Sequence, residues 1–100
     1  MSDKPHPILE EIATQLPESS QLFLNIQSGS DYTEIVSLAQ EDMSCFENVE
    51  GTLKDGQSAK SVLHQNGYQK WLESSDEDDQ LRVYGALSLI LELAQELAED

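Results

Sequence analysis

Cations are what this sequence has least of. Five Lys and Arg stand against twenty Asp and Glu in 100 residues, for a formal net charge of −15 and an isoelectric point near 4.1. Between Lys4 and Lys54 there is no Lys or Arg, while nine acids occur: Glu10, Glu11, Glu18, Asp31, Glu34, Glu41, Asp42, Glu47 and Glu50. A chain so charged is repelled by phosphates, which argues against direct binding to DNA, RNA or an anionic membrane. The single cysteine, Cys45, rules out an internal disulfide. No apolar run approaches the roughly 18 residues needed to cross a bilayer. The opening MSDKPHPILEE lacks a basic region followed by an apolar one, so no secretory signal is legible. The expectation is a cytoplasmic protein.

The residues that carry chemistry are equally sparse. His6 and His64 are the only histidines, and no Gly-x-Ser-x-Gly turn surrounds any serine. A Cys45–His64 nucleophile and base can be written down, but Cys45 falls on the apolar side of its helix, where a small core residue is the simpler reading. Asp76, Asp78 and Gln80 resemble the start of a calcium loop. The pattern then fails, because Leu81 stands where Gly is needed and Leu87 where a bidentate Glu is needed. Zinc spacing and phosphate-binding glycine loops are missing. The expectation is a non-enzyme with no catalytic residues, no cofactor and no metal.

What is present is a hydrophobic share of 38%, enough for one modest core in a small domain. The periodicity predicts an all-α fold, a compact bundle of five or six helices at 7–100 behind a flexible lead at 1–6. Pro7 suits the first position of a helix carrying Ile8, Leu9, Ile12, Ala13 and Leu16. Pro17 opens a second, closed by Ser28-Gly29. Residues 22–39 could instead pair as a short hairpin, because LFLNIQ alternates; that α+β alternative stays open. Asp31 and Glu34 have capping-box spacing, ahead of Ile35, Val36, Ala39 and Met43 on one face. Ser58–Gln65 predicts a shorter helix and Tyr68, Trp71 and Leu72 a further short turn or helix, with Asn66-Gly67 as a stop between them.

The stretch ESSDEDDQ at 73–80 holds five carboxylates and runs into LRVYGALSLILELAQELA. Ser75 with Asp78 reads as a capping box, and Asp78 stands four residues before Arg82 in the favourable order. Around the helix that follows, apolar residues cover well over half the circumference, wider than the stripe of an ordinary surface helix. The helix is therefore central in the bundle, or buries a second side against another chain.

Charge runs on helices are commonly solvated faces that maintain solubility. The sharper reading is that Glu34, Glu41, Asp42, Glu47 and Glu50, then Asp76, Glu77, Asp78 and Asp79, bind the basic surface of another protein. Carboxylates on rigid helices can occupy the pockets in which a nucleic-acid-binding protein holds phosphates. Small size, strong acidity and no catalytic constellation resemble the profile of nucleic-acid-mimic inhibitors, anti-restriction and anti-CRISPR proteins among them. Ser30-Asp31-Tyr32-Thr33-Glu34 is similar to the opening of a helix in the acidic helical immunity proteins that block nuclease colicins. The His-Pro and Tyr-Tyr-Pro elements of that family have no counterpart here. Both resemblances imply an acidic, helical inhibitor of a basic protein. The rival reading is a chaperone-like or structural protein whose helix at 81–98 pairs with a client, or with a second copy as a homodimer, through Leu87, Ile90, Leu91 and Ala94.

Overall fold

In the computed structural model, residues 6–47, 51–54 and 56–99 are described. They form an all-α bundle of six helices: α1 (Pro7–Ala13), α2 (Gln21–Ser28), α3 (Tyr32–Met43), α4 (Gln57–Gln65), α5 (Gln69–Ser74) and α6 (Glu77–Glu99). Among the described residues there is no strand, only a single bridge between Phe46 and Leu53. The hairpin alternative for 22–39 therefore falls. LFLNIQ alternates over too short a span to outweigh what bounds it. Ser20 caps the start of α2, its hydroxyl accepting from the Phe23 N–H, and Gly29 ends the helix in the left-handed conformation at φ 77°.

Local chemistry sets the other boundaries. Pro7 occupies the first turn of α1, as its fixed φ favours, and the His6 ring accepts from the Ile8 N–H. That helix stops at Ala13, and Leu16 sits in the turn beyond it. Pro17 lies in a further turn, so α2 begins only at Gln21. Asp31 does cap α3 by position, but the predicted side-chain box does not form. Its own backbone carbonyl takes the Glu34 N–H at 3.0 Å, the donor the box would have used.

At the start of α6 the box exists one residue later than its spacing suggested. Asp79 N–H donates to the Asp76 carboxylate at 2.9 Å, and Asp76 N–H donates to Asp79 at 3.2 Å. Ser75 is unavailable because it closes α5, its N–H bonded to the Trp71 carbonyl. The Ser75 hydroxyl is buried with no hydrogen-bond partner. Arg82 likewise pairs with Asp79, at 3.5 Å, and not with Asp78.

The core is one continuous cluster. Leu9, Ala13 and Leu16 from the first helix and turn meet Leu22 and Ile26 of α2, Ile35 and Ala39 of α3, Leu63 of α4, and Val83, Leu87, Ile90 and Ala94 of α6. Helix α6 is about 35 Å long at 1.5 Å per residue, most of the 41 Å long axis. It packs most extensively on α3, and the two run antiparallel. Thr33 and Val36 near the start of α3 lie beside Gln95 and Ala98 of α6, while Phe46, just past the end of α3, stacks 5.9 Å from Tyr84. Trp71 and Tyr68 complete that aromatic end, with ring centroids 5.6 Å apart.

The α4–α5 linker is pinned to the α1–α2 turn. Gln21 N–H donates to the Asn66 carbonyl at 2.8 Å, and the Ser19 hydroxyl to the Gly67 carbonyl at 2.7 Å. Gly67 has φ 90°, and a Cβ there would run into the Ser19 carbonyl oxygen. Gly85, exposed inside α6, has open space around it. The two glycines should respond oppositely to alanine. Gly67→Ala is expected to lower the unfolding free energy by about 2–4 kcal/mol, whereas Gly85→Ala raises it by about 0.5–1 kcal/mol. Urea denaturation followed by circular dichroism reads both.

Candidate acidic interface and the carboxylate beneath it

Helix α3 presents Glu34 and Glu41 to solvent seven residues apart, two turns and about 10 Å along its axis. Glu47 is exposed just beyond the helix end. Because α3 and α6 are antiparallel, Glu47 lies at the same end of the molecule as Asp76–Asp79. The connection is direct, through a loop: Glu47 N–H donates to the Thr52 carbonyl at 2.7 Å, and Leu53 N–H donates to the Gln80 side chain at 3.1 Å. Glu77 and Asp78 are exposed, while Asp76 and Asp79 spend part of their capacity on the α6 cap. Arg82–Asp79 is the one ion pair among the described residues. Glu50 lies outside the described residues.

Asp42 departs from its expected place. It is fully buried, with 0% of its surface accessible, and so is not part of any exposed acidic face. Its carboxylate accepts from the Asn66 amide at 2.6 Å through one oxygen and from the Tyr68 hydroxyl at 2.8 Å through the other. The Asn66 amide also donates to Glu41 at 2.9 Å, so adjacent acids of α3, one inside and one outside, share one donor. The signal was present in the spacing. Ile35, Ala39 and Asp42 stand at i, i+4 and i+7, one inward stripe, and both Asn66 and Tyr68 are donors able to meet a buried carboxylate.

Burial pushes the Asp42 pKa up to about 6 against an ordinary 3.8. The hydrogen bonds from Asn66 and Tyr68 oppose that rise, and the nearby Glu41 charge adds to it. Around the same carboxylate, burial and then the Asp42 charge raise the Tyr68 hydroxyl well above its usual range. Burial, and after it Asp42, also raises the Cys45 thiol. Cys45 is buried, its Sγ 3.7 Å from the Glu41 carbonyl oxygen. His64 is exposed on α4 and makes no bond to it. A neutral, enclosed thiol without a base is core, not a nucleophile.

The apolar contact set assigned to the last helix also changes. Leu87, Ile90 and Ala94 are fully buried inside the chain itself and Leu91 is half-buried, so these four do not form an exposed interface. The large apolar residues of α6 that lie exposed are Leu81 and Leu89. Among the described residues no helix is long and apolar enough to cross a membrane, and no three His, Cys, Asp or Glu are grouped to hold a metal ion. No protein-family model, curated protein or solved structure matches the chain.

The raised pKa has a defined sign in stability. Between about pH 4 and 6 the folded chain holds the Asp42 proton that the unfolded chain releases, so the Asp42 contribution is greatest below that window and falls as pH rises through it. Asp42→Asn removes the titration while leaving every exposed acid in place. The difference in unfolding free energy between wild type and this variant is expected to change by about 2–3 kcal/mol across the window. Asp42→Ala at neutral pH is expected to cost about 3 kcal/mol, leaving the Asn66 and Tyr68 donors unpaired. Urea titrations at a series of pH values check both.

Proposed function

We propose that the chain is a non-enzymatic binding protein that engages, and inhibits, a basic macromolecular surface, chiefly that of a nucleic-acid-binding protein. The observation that carries this reading is the state of its carboxylates. Glu34, Glu41, Glu47, Glu77 and Asp78 are exposed, and none has a cation within ion-pair distance among the described residues. A surface that leaves its acids unpaired keeps their Coulombic attraction for a partner. Charge of one sign on a rigid frame speeds encounter and selects against partners of like sign. Helix α3 holds its acids at fixed separation, as a phosphate backbone does. The bonds from Glu47 to Thr52 and from Leu53 to Gln80 join them to the cluster at the start of α6. Asp42 serves that surface from beneath, by fixing the end of α3 on which Glu41 stands.

The triple variant Glu34→Gln, Glu41→Gln, Glu47→Gln tests the proposal without touching Asp42. With each surface charge worth about 0.5 kcal/mol at low salt, the three together should weaken capture of basic partners by about tenfold. The immobilised chain is offered a cell lysate at low and at high salt, with and without excess duplex DNA, and the captured proteins are identified by mass. The proposal expects basic nucleic-acid-binding proteins that are released by salt and displaced by the duplex. Capture that is indifferent to salt, or unchanged in the variant, overturns it.

A further inference from the structure

Four large apolar side chains lie exposed, Ile8, Leu24, Leu81 and Leu89, and two of them face the same groove. Ile8 and Ile12 of α1 form one wall. Leu89 and Leu93 of α6 form the other, and Glu92 and Glu96 stand along its edge, the whole enclosing about 300 Å³. Ile8 is 53% exposed and Leu89 56%, each more than most residues of its type in a folded chain. Ile12 and Leu93, half-buried, are the less exposed member of each wall. The stripe from Leu89 to Glu96 is two helical turns, about 10 Å.

We infer that this groove is a docking site for an amphipathic helix of a basic partner, one that lays apolar side chains between Ile8 and Leu89 and carries Lys or Arg against Glu92 and Glu96. Charge selects the occupant. Neither α1 nor α6 beyond Arg82 carries a Lys or Arg. A second copy packed groove to groove would therefore bring Glu92 and Glu96 against acids of its own kind, and any other approach works against a net charge of −15 on each side. An uncharged apolar helix would leave the two glutamates partly desolvated and unpaired. A helix with apolar residues at i, i+3 or i+4, and i+7, flanked by cations, satisfies both walls and fits a two-turn groove. The inference rests on the reading of the chain as a binder of basic proteins, and adds the apolar contact that exposed charges alone lack.

Three synthetic peptides of about four turns test it, the length at which a helix in a groove begins to hold. The first has a leucine stripe at helical spacing with lysines elsewhere, the second has the same composition scrambled so that no stripe forms, and the third has glutamate in place of lysine. Each is labelled with fluorescein and titrated against the whole chain by anisotropy, and methyl NMR of the chain reports the contact. The first peptide is expected to bind about tenfold more tightly than the second, the third not at all, with shifts at Ile8, Ile12, Leu89 and Leu93. Leu89→Gln, at an exposed position, should weaken the first peptide by about tenfold and leave the second unchanged, because a half-buried leucine contact is worth about 1.5 kcal/mol.

Equal affinity for the first and second peptides overturns the groove. If the triple variant at Glu34, Glu41 and Glu47 then weakens both alike, the acidic reading stands without it. Shifts confined to residues away from α1 and α6 also overturn it. So does a sedimenting dimer dispersed by Leu89→Gln, which would assign the groove to a second copy.

Discussion

A carboxylate held out of water at the end of α3 is the constraint around which the rest of this molecule is arranged. Asp42 has two oxygens to satisfy, and the chain supplies one donor for each from a linker some twenty-five residues away. Those donors fix the linker against α3, and the linker in turn is held against the α1–α2 turn by bonds from Ser19 and Gln21. Three separate stretches of chain thus meet through one charged group. Apolar packing alone tolerates small slides of helix on helix. A buried carboxylate with two short bonds does not, because a displaced donor would leave a charge unsatisfied in a medium that screens it poorly. Specificity of this kind is bought with the desolvation that lifts the Asp42 pKa to about 6.

The same carboxylate links the inside of α3 to its outside. Asn66 divides its amide between buried Asp42 and exposed Glu41, so the outward acid is oriented by the bond that holds the core. On α6 the division is made within one sequence run: Asp76 and Asp79 close the helix start on each other, and Glu77 and Asp78 remain free in solvent. In both places acids of similar position in the chain do different work, decided by which backbone or amide donors lie within reach. Net charge by itself would not have distinguished them.

Much of the architecture was legible before any coordinates. Pro7, Gly29, Asn66-Gly67 and the 3–4 spacing of apolar residues mark the helices to within a few positions, because backbone restriction and amphipathic period act locally. What escaped was non-local. Asp42 continues the inward spacing of Ile35 and Ala39, yet a carboxylate at that position becomes a satisfied core group only because Asn66 and Tyr68 reach it. The capping boxes at Asp31 and Ser75 had the right spacing, yet the Asp31 carbonyl and the end of α5 had already claimed the groups they needed. The wide apolar face of α6 was plain, but which part of it α1 and α3 would cover was not. Leu87, Ile90 and Ala94 went inward and Leu89 stayed out, a division set by where two other helices happen to lie.

The contact between Ser19 and Gly67 bears on how quickly the native state can be reached. Its hydroxyl–carbonyl bond joins residues 48 positions apart, and the backbones there approach too closely to admit a side chain. The entropy of closing so large a loop must be met before that bond returns anything, whereas the individual helices need only their neighbours. Seating of the linker is thus the long-range closure in this part of the fold, whereas α1, α2 and α4 are local. Without that closure Asp42 would lack both of the donors that the linker brings to it.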